Sequence, residues 1–195
     1  MFQPKDFELQ HKDVSLIQVS KEMDLTRALL VVLKKMLADR ITPFLLLSNS
    51  STKELLRVAS EASIDLASPI SERKLVVIDC VSKYNDQKGE EGALLKDDIY
   101  YASSPMDLSD VALKVSEAMS ETRSAGEKWL LIDSITAMTM YNTVGGILRF
   151  MQFLFKKLRM LNFEGVVVVV RDGTSQSSLL TELKRYCNTV IFLTQ

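Results

Sequence analysis

Stretches that are apolar at nearly every position recur along the chain and alternate with stretches of helical periodicity. An uninterrupted apolar run is typical of a strand buried on both faces, as in a parallel sheet covered by helices. Such runs predict strands at 14–20, 43–48, 74–79, 99–102, 128–133, 165–170 and 189–193. The intervening periodicity predicts helices at 23–38, 52–62, 105–123, 143–162 and 175–187. This alternation predicts an α/β fold of three layers, α/β/α, with a mainly parallel central sheet.

Two segments depart from the alternation. Residues 1–12 are polar and contain Pro4, which indicates an N-terminal arm. Residues 81–98 lose the apolar period and collect charged residues and glycine, which predicts a mobile surface loop. A chain of 195 residues can bury one sizeable core but not two comfortable ones. We therefore expect residues 1–195 to form a single domain.

Composition narrows the possible functions. The formal net charge is -1 and 47% of the residues are hydrophobic, so the chain has no overall attraction to nucleic acids or membrane surfaces. The N-terminal sequence lacks the pattern of a signal peptide, and no apolar run approaches the roughly 18 to 20 residues that span a bilayer. The sequence therefore predicts a cytoplasmic protein with no membrane partner.

Reactive side chains are scarce. His11 is the only histidine, and it lies in the predicted arm. Catalytic sets of the Ser-His-Asp or Cys-His kind and zinc sites are therefore close to excluded. The two cysteines, Cys80 and Cys187, each lie beside a predicted buried strand, which indicates reduced thiols rather than a disulfide.

The strand predicted at 128–133 ends in Asp133, and Ser134 is the next residue. Open parallel sheets bind ligands at the carboxyl ends of their strands, where a carboxylate can hold magnesium or an attacking water. The structural alternative is that both residues end the strand and cap the next segment of the chain. Asp133 would then bond to neighbouring loop amides or hydroxyls.

A phosphate-binding loop would lie between the first strand and the first helix. The pattern G-x-x-x-x-G-K-[ST] needs glycines to wrap phosphates, a lysine to reach them and a hydroxyl for magnesium. The corresponding residues 21–28 read Lys-Glu-Met-Asp-Leu-Thr-Arg-Ala, and the first glycine of the chain is Gly89. Glu22 and Asp24 would also repel a triphosphate. The sequence therefore lacks the phosphate cradle.

The order and spacing of the elements, with several local strings, resemble the RecA-superfamily ATPases and most closely their KaiC-like branch. The strings cover nearly the whole chain: the strand and altered loop at 14–28, Leu-Leu-Leu-Ser at 45–48, the helix end at 59–65, Leu-Val-Val-Ile-Asp at 75–79, Ser-Pro-Met-Asp-Leu at 104–108, Leu-Leu-Ile-Asp-Ser at 130–134 and Asn-Thr-Val-Ile-Phe-Leu at 188–193. The resemblance implies a RecA-like P-loop NTPase fold that lacks the P-loop sequence.

In that family the aspartate that Asp133 matches is the Walker B residue, so the resemblance implies that Asp133 and Ser134 are the vestige of a nucleotide site. Family members carry a catalytic glutamate just after the second strand, where this chain has Ser-Asn-Ser-Ser at 48–51. Phosphoryl transfer depends on positioning and charge stabilisation, which these losses remove. The resemblance therefore implies a pseudo-ATPase without a cofactor, and the structural interpretation of Asp133 is favoured.

A chain without a catalytic set would act through protein contacts, in a homo-oligomer or beside an active RecA/KaiC-like ATPase subunit. On the helix predicted at 143–162, Phe153 and Met160 fall outside the broad apolar face and lie on one stripe, seven residues apart, with Arg149 nearby. Interfaces gather aromatic residues, methionine and arginine. These three residues are candidates for an interface, with an ordinary exposed surface as the alternative.

Two other functions stay open at this stage. The chain could bind ATP and magnesium in an altered way, with Asp133 holding the metal and Arg27 or Lys21 replacing the missing lysine. It could also bind nucleic acid through the basic residues of the helix at 143–162, although a solvated helix face explains the same charges.

Overall fold

Strands and helices alternate along the part of the chain that the structure, a computed structural model, describes. That part comprises residues 14–20, 23–84, 99–122, 126–163, 165–171 and 177–193. Its strands are β1 (Val14–Val19), β2 (Thr42–Leu47), β3 (Val76–Asp79), β4 (Ile99–Tyr101), β5 (Lys128–Asp133), β6 (Gly165–Arg171) and β7 (Thr189–Leu193). Its helices are α1 (Leu25–Ala38), α2 (Thr52–Glu61), α3 (Ala67–Ser71), α4 (Leu108–Glu121), α5 (Ile135–Met138), α6 (Val144–Met160) and α7 (Ser177–Lys184).

These strands form one sheet in the order β4-β3-β2-β5-β6-β1-β7, and every described pair is parallel. Successive strand residues point to opposite faces of a sheet. Leu45 and Leu131 pack on the face that carries α1, α2 and α3, and Leu46 and Leu130 pack on the face that carries α4 to α7. The predicted three-layer α/β/α fold with a mainly parallel sheet is therefore confirmed.

Capping side chains explain where two helices depart from their predicted starts. α1 begins at Leu25 because the Asp24 carboxylate accepts the amide of Arg27 at 2.9 Å. α4 begins at Leu108, since Asp107 caps it in the same way. The short helices α3 and α5 were not predicted, because four or five residues are too few to establish a helical period.

Two predicted segments cannot be compared in full. The N-terminal arm at 1–12 lies outside the described residues, as do residues 85–98 of the predicted surface loop. Residues 81–84 of that loop form a turn after β3. Among the helices within the described ranges, none is both long and apolar enough to cross a membrane.

The largest buried side chain of the core lies against a glycine on the neighbouring strand. Trp129 of β5 is 1% exposed and stands opposite Gly165 of β6 in the parallel register. A Cβ atom at position 165 would lie within 3.0 Å of three atoms of the Trp129 ring. The sheet therefore accommodates the indole here only because residue 165 has no side chain.

Replacing Gly165 with alanine should consequently lower the free energy of unfolding by about 2 kcal/mol through overpacking, as measured by urea denaturation. Gly145 of α6 is the matched control, because a Cβ there would have its nearest neighbour, the Arg149 side chain, at 3.8 Å. Gly145→Ala should change stability by less than about 1 kcal/mol and in the stabilising direction. Equal effects of the two substitutions would contradict this packing argument.

Candidate functional site

Two aspartates lie at the carboxyl edge of the sheet. Asp79 ends β3 and Asp133 ends β5, and in the parallel register both stand opposite Leu47, the last residue of β2. Both side chains are fully buried. Open parallel sheets bind ligands at this edge, so the surroundings of the two carboxylates determine what the site can do.

The Asp79 carboxylate is hydrogen-bonded through both oxygens. Oδ2 accepts the amide and the hydroxyl of Thr52 and the hydroxyl of Ser82, each at 2.7 Å. Oδ1 accepts the amides of Val81 and Ser82, each at 2.8 Å. Because Thr52 is the first residue of α2, the carboxylate also complements the positive end of that helix dipole. Asp79 thus ties together β3, α2 and the turn after β3, a role that sequence reasoning missed.

Asp133 has the opposite surroundings, since neither of its carboxylate oxygens has a hydrogen-bond partner among the described residues. Burial, together with the negative charge of Asp24, raises the pKa of Asp133 to about 7. The hydroxyl of Ser50 opposes this rise in pKa but makes no hydrogen bond of proper geometry with the carboxylate. The expected hydrogen bonds from loop amides or hydroxyls to Asp133 are therefore not found among the described residues.

Three other donors at this edge of the sheet are engaged elsewhere, whereas the Ser50 hydroxyl has no hydrogen-bond partner among the described residues. The Ser48 hydroxyl donates to the main-chain carbonyl oxygens of Asp133 and Ser134, at 2.9 and 3.0 Å. The amide of Thr136 donates to the hydroxyl of Ser134 at 3.2 Å, so Ser134 caps α5. The first amide of α2 donates to Asp79. Ser134 has a structural partner, whereas the Asp133 carboxylate has no hydrogen-bond partner among the described residues. The peptide bond between these two residues is cis.

The described residues before the first helix do not form a phosphate cradle. Ser20 follows β1 and Met23 precedes α1, and the amide of Met23 donates to the carbonyl of Ser20 at 3.2 Å. The Asp24 side chain then caps α1 by accepting the amide of Arg27. A helix N-terminus binds anions through its free amides and its dipole. At α1 the chain's own carboxylate takes that position.

A magnesium–nucleotide complex does not fit these residues. An unpartnered buried carboxylate such as Asp133 suits a cation, but a polyphosphate would meet the negative charge of Asp24 at the helix N-terminus. The Arg27 side chain is exposed, and Lys21 lies outside the described residues. Within those residues no basic side chain lowers the pKa of Asp133, and no group of three or more potential ligand side chains could hold a metal ion.

The interface candidates lie on the outer surface of α6. Phe153 is 45% exposed and Met160 is 71% exposed, and Arg149 is exposed as well. The apolar residues expected on the inner face are buried or packed against the core: Ile147, Leu148, Phe150, Met151, Leu154, Phe155, Leu158 and Leu161. The helical period thus separates the two faces of α6 as the sequence predicts.

The exposed residues of α6 border two separate grooves. The α4–α6 groove has a volume of about 520 Å³ and is lined by Leu108, Ala112 and Leu113 of α4 and by Arg149, Phe150 and Phe153 of α6, among others. Met160 and Tyr186 line a second groove of about 440 Å³ on the other side of α6. Leu113 was not predicted as an interface candidate from the sequence. It falls outside the apolar period of α4, and it is 53% exposed.

Comparison with solved structures finds this fold in an uncharacterized protein from Pyrococcus horikoshii, whose crystal structure was determined in complex with an unknown peptide. The TM-score is 0.70, the sequence identity is 12%, and the match covers 95% of this chain and 78% of that chain. No family model matches the chain, and no curated protein matches its sequence. The likeness therefore concerns the fold.

Proposed function

We propose that this chain is a non-catalytic pseudo-ATPase of the RecA superfamily, similar to its KaiC-like branch, that acts through protein association. It would work as a homo-oligomer or as the partner of an active RecA/KaiC-like ATPase subunit, in the cytoplasm and without a cofactor. The observation that carries the proposal is the start of α1, where Asp24 caps the helix at the position a phosphate group would need.

Two further observations support the proposal. The negative charge of Asp24 raises the pKa of Asp133, so the described groups around the former nucleotide position are acidic. Phosphoryl transfer requires positive charge around its transition state, and these surroundings supply the opposite sign. The Pyrococcus protein was solved with a peptide bound, which is compatible with protein recognition by this fold.

Isothermal titration of the full chain with ATP and magnesium chloride tests the loss of nucleotide binding. We expect no saturable binding in the micromolar range. Micromolar affinity that disappears in Asp133→Asn would instead support the alternative, an atypical ATP-binding protein in which the unpartnered Asp133 holds the metal. That alternative has in its favour only the free coordination sites of this carboxylate.

Replacing Phe153 with alanine tests the association. If Phe153 is a central anchor, its truncation should weaken self-association or the complex with a native partner by about thirtyfold, as measured by sedimentation velocity or titration. The melting temperature should stay nearly unchanged, since Phe153 is 45% exposed. Phe192 on β7, 61% exposed, provides the matched control. A lower melting temperature with unchanged association would assign Phe153 to the core.

A further inference from the structure

We propose that the second groove, on the other side of α6 from α4, binds an acidic segment of a partner protein. This inference rests on the proposed role in protein association and specifies the chemistry that the partner must carry. The lining of the groove combines basic, hydrogen-bonding and apolar side chains: Gln152, Phe155, Lys156, Arg159, Met160 and Tyr186. Its occupant must match all three kinds of side chain.

The lining of the second groove carries positive charge and no negative charge. Two of its residues are basic, Lys156 and Arg159, and none is acidic. Both basic side chains are exposed, and within the described residues no ion pair engages either of them. They lie three residues apart on α6, so their like charges repel each other. A ligand that places negative charge beside both of them removes this repulsion.

The segments around the groove do not cancel this charge. α6 has four basic residues and no acidic residue. Residues 177–186 contain one acidic residue, Glu182, which pairs with Arg185 at 2.8 Å, and Lys184 adds a further positive charge. The dipole of α6 places about half a negative charge at the end of the helix, which offsets only part of the charge in its last turn. The groove therefore attracts an anionic ligand.

Tyr186 adds an uncharged donor to the same groove. The side-chain amide of Gln152 donates to the Tyr186 hydroxyl oxygen at 2.8 Å. The hydroxyl keeps its own hydrogen for another acceptor, and it has no such acceptor among the described residues. The ammonium group of Lys156 and the guanidinium group of Arg159 are also donors. Carboxylate oxygens accept from all three groups, and their hydrogen bonds with the two cations are the strong, charge-assisted kind.

The groove also has an apolar part, which favours a protein ligand. Met160 and Tyr186 are exposed where they line the groove. An apolar side chain beside the carboxylates of a partner would cover Met160 and exclude water from the ion pairs. A nucleic-acid backbone matches the charge but leaves Met160 uncovered. The rings of Phe155 and Tyr186 are tilted by 46° to each other, so they do not form a flat platform for stacked bases.

The charged and the apolar contacts have different roles. Exposed ion pairs add little affinity, but they discriminate between partners and make binding depend on salt. Burial of Met160 would supply most of the affinity. Arg159 is the specificity determinant of the groove, because its planar guanidinium group can bind a carboxylate through two parallel hydrogen bonds.

Selection from a displayed random peptide library, with the full-length protein as bait, tests the inference. We expect the enriched peptides to combine aspartate or glutamate residues with a neighbouring apolar residue. Their binding, measured by fluorescence anisotropy at about 0.1 M salt, should weaken at least tenfold in Arg159→Glu and should weaken further as salt is added. Met160→Ser should weaken binding about tenfold without changing this salt dependence. Selection against Arg159→Glu should enrich lysine and arginine at the positions that were acidic.

A control on the same helix separates the second groove from general charge attraction. Arg149→Glu makes the same charge change as Arg159→Glu, but Arg149 lines the α4–α6 groove. Ten residues of helix separate the two positions by about 15 Å, which exceeds the screening length of about 10 Å at 0.1 M salt. Arg149→Glu should therefore bind the selected peptides within about twofold of the unchanged protein. Equal losses in the two variants would overturn the assignment.

Two other results would also overturn the inference. One is enrichment of neutral or basic peptides that still bind Arg159→Glu. The other is binding of single-stranded DNA with a steep salt dependence that Arg159→Glu abolishes, without acidic peptides being enriched. In either case the proposed function is judged separately, by nucleotide titration and by association of the native protein. The inference can therefore fail while the proposed function stands.

Discussion

Asp79→Ala should lower the free energy of unfolding by about 3 to 5 kcal/mol, among the largest effects of a single substitution in this chain. The carboxylate accepts five hydrogen bonds, at 2.7 to 2.8 Å. Its removal takes this acceptor from the buried amide and hydroxyl of Thr52, and it takes a negative charge from the start of α2. Urea denaturation with circular dichroism measures the change.

Asp107→Ala is the matched control for this prediction. Asp107 also caps a helix and accepts two amides, each at 3.1 Å, but it is exposed, and water can replace the lost acceptor. Its removal should cost about 1 kcal/mol. If Asp79→Ala is no more destabilising than Asp107→Ala, the network around Asp79 does not hold β3 and α2 together.

The layers of this protein could be predicted because each strand repeats one simple pattern. Leu45, Leu46 and Leu47 are successive residues, and a run of this kind is typical of a strand that both helical layers cover. On α6, the separation of Phe150 and Leu154 from Phe153 comes directly from 3.6 residues per turn. Both features depend only on residues that are close in sequence, so the sequence is sufficient to predict them.

The roles of the two aspartates could not be predicted from similar local information. Each ends a strand after an isoleucine, in Val-Ile-Asp at 77–79 and Leu-Ile-Asp at 131–133. The difference between them is the partner brought in by the fold: the start of α2 supplies donors to Asp79 but none to Asp133. The resemblance to an ATPase family marks Asp133 and not Asp79, because family motifs mark residues of a shared chemistry rather than helix caps.

The α4–α6 groove illustrates the same limit for surfaces. Leu113 and Phe153 are separated by forty positions, and each alone is an unremarkable exposed residue. They form two walls only because α4 and α6 pack on the same face of the sheet. Helical periodicity predicts which residues point outward, but the distance between two outward residues on different helices is a property of the tertiary structure.

The last prediction concerns the pH dependence of stability. The pKa of Asp133 is about 7 in the folded chain, against an ordinary value of 3.8, so Asp133 binds its proton more tightly in the folded chain than in the unfolded chain. Its contribution to stability is therefore complete below about pH 4 and is lost as the pH rises through 7. The difference of roughly three between the two pKa values corresponds to a change of about 4 kcal/mol in the free energy of unfolding. This single group should make the protein less stable at pH 8 than at pH 5.

Asp133→Asn should remove most of that dependence. At pH 8 it should raise the free energy of unfolding by about 1 to 3 kcal/mol, less than the full amount because the buried amide still lacks partners. At pH 5 the effect should be small.

Asp110→Asn is the control of opposite sign. The Ser103 amide lowers the pKa of Asp110, so the contribution of Asp110 to stability is present at neutral pH and is lost as the pH falls through that lowered pKa. Denaturation curves at both pH values, with and without magnesium chloride, measure these effects. Stabilisation by magnesium that requires Asp133 would mean that the ionised carboxylate holds a metal. The nucleotide-binding alternative would then become the favoured function.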